Sequence, residues 1–329
     1  MLRNSLLLLM SAFSCVQVRA QPEAPATLNI EVANIVIYRS DVTDATRFAT
    51  EPGPTTPLPL RTFMPVTFIG DVVAVNGTPA KGNMTMRGAF IALDPNPAPG
   101  VGVADTTNRL FGDWVFNIHR TDGSPVGSIM ATGWSFGDRA AGVLGPGQGD
   151  LAVSGGTGAF LGVRGQGNET GTPGARRAAS ITEDPGNRRI IGGNAWSYGF
   201  QLIPMARPDF AKSGNSPMLF HADFTPVTAA KPARKGQMLI AAVTGLGPTL
   251  PGKQPGAPFP ADTLQEVASP IQVLVNGTPV NSANQVGWPG TTGTYRVDFR
   301  VPEDTATGMA AVQLVSAWIP GPAIQMAIR

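Results

Sequence analysis

Histidine and cysteine are nearly absent from this chain: among 329 residues there are two histidines, His119 and His221, and one cysteine, Cys15. Without a set of Cys and His ligands, a zinc site of the usual kind cannot be assembled. Only one of two histidines could serve a Ser-His-Asp triad, and no Gly-x-Ser-x-Gly elbow leads into a helix. Charge is also scarce, at 14% Asp, Glu, Lys and Arg, against about 25% in an ordinary soluble protein. No stretch beyond the first twenty residues is long and apolar enough to span a bilayer. What the chain has in excess is 40 glycines and 31 prolines. These are the two poorest residues for a helix interior. With 42% hydrophobic residues the composition also argues against disorder. Short strands joined by many turns, an all-β protein, is the reading that fits.

Residues 1–20 read as a secretory signal peptide. Arg3 supplies the positive start, Leu6 to Met10 with Ala12 and Phe13 the apolar stretch, and Val18-Arg19-Ala20 the cleavage site. Cleavage after Ala20 predicts a secreted, periplasmic or cell-surface protein. It also removes Cys15, so the mature chain has no disulfide. Taking Arg3 and Arg19 from 24 basic residues leaves them level with the 22 acidic ones. A neutral chain without a basic run has no electrostatic footprint for nucleic acid.

From residue 27 the pattern alternates and turns. Leu28, Ile30, Val32 and Val36 share one parity, with Ile35 and Ile37 on the other, a strand buried partly on both faces. Residues 41–60, with Pro52, Pro54, Pro57 and Pro59, read as a loop or arm. Strands are expected at 66–75, 83–93, 114–119, 126–136, 149–153, 159–165 and 188–202, about eight before Pro208, enough to close a small barrel. Asn76-Gly77 predicts a type I′ hairpin, because both central residues need positive φ. Residues 211–232 read as a linker within the Pro-rich stretch 204–232. A second unit of short strands occupies 233–329, with another Asn-Gly turn at Asn276-Gly277. The pentapeptide Val-Asn-Gly-Thr-Pro occurs at 75–79 and again at 275–279. Its flanks do not match, which points to shared turn chemistry rather than a repeat.

Two family resemblances follow from these segments. Val153-Ser154-Gly155-Gly156-Thr157-Gly158-Ala159-Phe160 with Val163-Arg164-Gly165, after Val115-Phe116-Asn117-Ile118 and Thr121-Asp122-Gly123, resembles the dirigent and allene oxide cyclase-like β-barrels. The likeness covers about 140 residues and implies an eight-stranded antiparallel barrel across 21–210, plugged by Phe160, with self-association through the barrel. Dirigent proteins carry an acidic pair where this chain has Asn76-Gly77, and an acidic residue where it has Ala159. Only the arginine, Arg164, is kept. The resemblance therefore implies the fold and leaves the reaction open. Val243-Thr244-Gly245-Leu246-Gly247-Pro248, the segment 273–278, Tyr295-Arg296-Val297-Asp298-Phe299-Arg300-Val301-Pro302 and the segment 308–314 resemble the Solibacter-type carboxy-terminal domain of exported bacterial proteins. That likeness implies an immunoglobulin-like β-sandwich over 233–329.

The catalytic candidates are Asp71, His119 and Arg164. Asp71 lies mid-strand on the parity of Val73 and Val75. If that side faces inward, its carboxylate sits in an apolar barrel and its pKa should rise. An exposed carboxylate bonded to a neighbouring loop is the alternative. His119 shares a strand face with Asn117, either lining a cavity or lying on the solvated outer wall. Trp114, Phe116, Asn117 and Trp134 are the ligand-binding candidates, since aromatic rings in a cavity suit phenolic or polycyclic ligands. Core packing is the alternative for the rings. Arg176-Arg177 and Arg188-Arg189 flank Glu183 and Asp184, which suggests local pairing on a solvated hairpin.

These readings lead to an exported, non-enzymatic binding protein. Its barrel would hold a small apolar or aromatic ligand or a cell-surface component, with the sandwich as accessory module and no metal or cofactor. The alternatives are a dirigent- or cyclase-like enzyme acting on a bound reactive intermediate, and a structural or adhesive protein with a solid barrel.

Overall fold

The computed structural model describes residues 24–39, 62–92, 109–135, 148–171, 177–179, 182–190 and 193–329. The signal sequence and the proline-rich segment 41–60 lie outside the described residues. Eight strands make the first unit: β1 (Ala26–Arg39), β2 (Thr62–Val75), β3 (Lys81–Ala92), β4 (Arg109–His119), β5 (Pro125–Ser135), β6 (Gln148–Gly158), β7 (Arg164–Gly171) and β8 (Asn194–Ile203). Each pairs antiparallel with the next, and β1 pairs with both β8 and β2, so the sheet closes on itself. This is an eight-stranded up-and-down barrel, which leaves no open edge among the strands that form its wall.

Alternation fills the interior. In β4, Trp114, Phe116 and Ile118 are buried while Val115, Asn117 and His119 are half-exposed. Phe116 meets the edges of Tyr198 at 4.8 Å and Phe200 at 5.5 Å between ring centres. Inward positions 88, 112 and 133 are glycines paired directly across β3, β4 and β5. A Cβ on Gly88 would stand 2.1 Å from the Phe111 carbonyl oxygen. The missing side chains let the wall bend sharply at this level.

Bulges explain where simple parity fails. β1 breaks register between Val32 and Ile35, where Asn34 has φ 55°. Leu28, Ile30, Val32, Ile35 and Ile37 therefore all join the interior cluster. Val36 turns outward, forming with Tyr38 and Ala179 a small second core on the outer wall, against which Ile69 packs. The helical turn α1 (Asn187–Ile190) lies in the segment leading into β8. Two expected strands shift accordingly: 188–202 begins as this turn, and 159–165 is mostly not strand. Residues 158–163 form successive tight turns, with hydrogen bonds from Leu161 N to Gly158 O and Val163 N to Phe160 O. Gly158 and Gly162 take φ of 62° and 73° there.

The second unit is a sandwich of two sheets around one apolar cluster. Its longer strands are β9 (Met238–Thr244), β10 (Ile271–Val275), β11 (Ser282–Gly287), β12 (Thr294–Arg300), β13 (Gly308–Ser316) and β14 (Ile324–Ile328). One sheet carries β9, β12 and β11, the other β10, β13 and β14. Asp209–Phe210 and Leu219–Phe220 both pair with β9. Much of the expected linker thus belongs to the sandwich, which begins near Asp209. Pieces two residues long leave no periodicity for a sequence reading to find.

The twice-used pentapeptide does the same work in both units. Asn76 and Gly77 have φ of 48° and 71°, and Asn276 and Gly277 of 49° and 82°, the signature of the expected type I′ turn. Each Asn side chain also reaches a third strand: Asn29 N donates to Asn76 Oδ1 at 2.7 Å, and Ala311 N to Asn276 Oδ1 at 2.9 Å. Asn276→Ala should therefore cost about 1–2 kcal/mol, from a lost turn preference and an orphaned amide. A thermal melt of the variant beside the parent checks this.

Candidate functional site

The barrel's outer wall carries most of the polar candidates. Asp71 faces outward because β2 has an extra residue at Val73, where the pairing jumps from Ala74 to Val72. Val75 points in, while Val73 is 41% exposed. The Asp71 carboxylate accepts from Arg189 Nε at 2.9 Å and Nη2 at 2.8 Å, from Arg188 Nη2 at 2.7 Å, and from Asn34 Nδ2 at 3.1 Å. Burial alone would raise its pKa, but these donors outweigh it and hold the carboxyl at about 2. The shift is thus opposite to that expected of an inward-facing acid, and the carboxylate stays ionised. Arg188 and Arg189 pair across the barrel wall rather than with Glu183 and Asp184 beside them.

Asp71, Asn83 and Asn117 are directly opposite one another across β2, β3 and β4, and Asn117 Nδ2 donates to Asn83 Oδ1 at 2.8 Å. His119 lies on the same outer face, half-exposed, opposite Lys81. Arg164 stands elsewhere, at the start of β7, where its Nη1 donates to the Ser154 and Val163 carbonyls. Its observed contacts brace the turn after β6. Trp134 is also on the outer wall, 5.1 Å from the Phe111 ring. Trp114 and Phe116 are inside, and the Trp114 indole N–H is buried without an acceptor. The candidates therefore divide between the interior, the outer wall and a turn.

The sequence reading did not single out an inward carboxylate that the structure shows. Glu169 on β7 is 1% exposed and accepts from the Ser135 hydroxyl, itself fully buried on β5. Glu169 is directly opposite Tyr198 of β8. Its signal in the sequence was slight: one acid in a glycine-rich strand without regular alternation.

A concavity lies at the junction of the two units. Turn 158–163 forms one wall, Pro204, Met205 and Ala206 after β8 a second, and loop 245–259 with Thr292 and Tyr295 of the sandwich a third. The open cleft has a volume of about 570 Å³, within the usual range for a small-ligand site. Its apolar lining includes Leu161 and Met205, which are 65% and 74% exposed.

Close backbone approach builds the junction. Gly247 has φ 87°, and a Cβ there would lie 3.2 Å from Ala159 Cα. A Cβ on Gly245 would stand 2.3 Å from the Arg207 carbonyl oxygen. Both glycines belong to the Gly245-Leu246-Gly247-Pro248 motif, so its spacing serves close contact with the barrel turn at Ala159 and with the segment after β8. Arg207 ties the units together through the carbonyls of Ala24 and Pro320. The sandwich also reaches the barrel core. Between Ser316 and Ile319, Ala317 and Trp318 form a two-residue turn with φ of 48° and 62°, and Ala317 and Ile319 belong to the barrel's apolar cluster.

On the sandwich side the wall is well held. Gln265 Oε1 accepts from Thr249 Oγ1 at 3.0 Å and Gly252 N at 3.1 Å. Phe259 packs against Tyr295 at 5.2 Å, and the Tyr295 hydroxyl donates to the Gly247 carbonyl. Burial pushes the Tyr295 phenol above its ordinary pKa. Lys253 donates to the Ala257 carbonyl and stands 4.8 Å from the centre of the Phe259 ring.

His221 is buried in the sandwich, apart from this cleft. Gln237 Nε2 donates to its Nδ1 at 2.8 Å, while its Nε2 faces the Lys231 carbonyl at 3.2 Å. Among the described residues no cluster of His, Cys, Asp and Glu could hold a metal, and no helix is long and apolar enough to cross a membrane. Comparisons with models of known families, with curated proteins and with solved structures gave no match.

Proposed function

We propose that this is an exported, non-enzymatic binding protein whose ligand site is the cleft between barrel and sandwich, with a small apolar or aromatic molecule as its ligand. The observation that carries the reading is the cleft itself: ligand-sized, apolar, and walled by segments of both units. Junctions of this kind are common places for small-molecule sites. Compared with a site inside the barrel, this placement fits the packed rings of Phe116, Tyr198 and Phe200. It also gives the sandwich a direct part in binding. None of Asp71, His119 and Arg164 lines the cleft, which supports binding over catalysis. So does the cleft lining, where Lys253 and Tyr295 are the ionisable side chains and Tyr295 is engaged with Gly247.

The test uses N-phenyl-1-naphthylamine, a neutral aromatic probe that brightens in apolar surroundings. The full mature chain should bind it saturably at one site. Ala206→Trp places an indole on the cleft wall at an exposed position, and should weaken binding at least about tenfold, or 1.4 kcal/mol, with an unchanged melting temperature. Equal binding by parent and variant would overturn the reading.

A further inference from the structure

We infer that the cleft selects organic anions: molecules with an apolar or aromatic body and one carboxylate or sulfonate head, which Lys253 receives. The inference rests on the cleft being a ligand site and specifies what that site prefers.

Lys253 is the single residue in the lining with a full charge, and no Asp or Glu stands beside it there. Its ammonium meets the Ala257 carbonyl and the face of Phe259. Both are favourable for a cation, but neither cancels its charge. An ammonium has three donors, and the carbonyl takes one. A half-buried lysine with a carbonyl and a ring as its partners leaves positive potential directed at its open side, and this side is an apolar cleft. There an anionic head can form a charge-assisted hydrogen bond, stronger than one made to a neutral group.

The ammonium is also held in place. Gly252, immediately before Lys253, is bonded through its N–H to Gln265. Phe259, beneath the ammonium, is fixed by backbone bonds with Thr291 and Gly290. A Cβ on Gly287 would stand 2.3 Å from the Phe259 ring, so the glycine lets that ring lie flat on its strand. A charge fixed before the ligand arrives requires little ordering on binding. Opposite, the unbranched Met205 lies over Gly162, whose missing Cβ would be 2.6 Å from the Met205 sulfur. Its flexible thioether suits bodies of varied shape. The head is thus specified and the body loosely so.

The experiment compares two probes with the same body. 8-Anilino-1-naphthalenesulfonate carries a sulfonate that N-phenyl-1-naphthylamine lacks. For the full mature chain, the ratio of their affinities should favour the sulfonate. In Lys253→Met that ratio should fall about tenfold, and in Lys253→Arg it should largely recover. Rising salt should weaken the sulfonate probe on the parent more than on Lys253→Met. An equal ratio in parent and Lys253→Met overturns the anion preference while leaving the cleft intact as a site. Failure of Ala206→Trp to weaken either probe overturns the site, and the preference with it.

Discussion

Phe160→Ala should lower stability by about 3–5 kcal/mol, the cost of truncating a large buried ring. Phe160 is 1% exposed, belongs to the barrel's apolar cluster, and also lines the junction cleft. Its backbone cannot easily relax into the void. It is held in successive turns by bonds from Phe160 N to Thr157 O and from Val163 N to Phe160 O. A Cβ on Gly156 would stand 2.5 Å from the Phe160 carbonyl oxygen, so the neighbouring strand lies against the turn. Phe160→Leu keeps much of the volume and should cost about 1.5 kcal/mol or less. Urea denaturation of both variants gives the comparison. An alanine variant within about 1 kcal/mol of the parent would mean the site collapses freely, against the packing described.

Asp71→Asn should be the most damaging single change on the outer wall, at about 3 kcal/mol near neutral pH. The loss falls mainly on Arg188, whose side chain is 11% exposed and would keep its charge without its carboxylate. Arg189, at 59%, returns to water at little cost. The same ion cluster sets a pH dependence. With the folded carboxyl at about 2 and an unfolded value of about 3.9, the folded protein releases this proton more readily. The stabilisation is therefore complete above about pH 5 and fades as pH falls through 4 towards 2. The gap between parent and Asp71→Asn should be wide in urea melts at pH 7 and narrow at pH 2.5. A gap that does not change with pH would show that the ion cluster contributes no stability.

The fold was readable to the extent that period and turn chemistry were local. The alternation of Trp114, Phe116 and Ile118 with Val115, Asn117 and His119 marks β4 but leaves open which set faces inward, and Asn-Gly marks both hairpins. Parity then failed at bulges. One extra residue at Val73 separates Asp71 from the inward side that Val75 occupies, and no residue type announces it. Partners distant in sequence were equally hidden: Arg188 and Arg189 suggest pairing with Glu183 and Asp184, yet their carboxylate is on β2. The cleft was the least legible feature. Its walls come from residues near 160, 205, 250 and 295, and only the packing of barrel on sandwich brings them together. Even so, the glycines of the 245–247 motif are legible in the sequence, while the close approach that needs them is not.

The turn at Ala317 and Trp318 has a consequence for the order in which the protein takes shape. A chain made from its N-terminus presents β1 first, yet β1 must wait for β8 before the barrel can close. Closure still leaves one end of the apolar interior without Ala317 and Ile319, which come after nearly all of the sandwich. The early part of the chain therefore emerges before it can be complete. The barrel's apolar interior is thus sealed only by residues of the last strands to arrive.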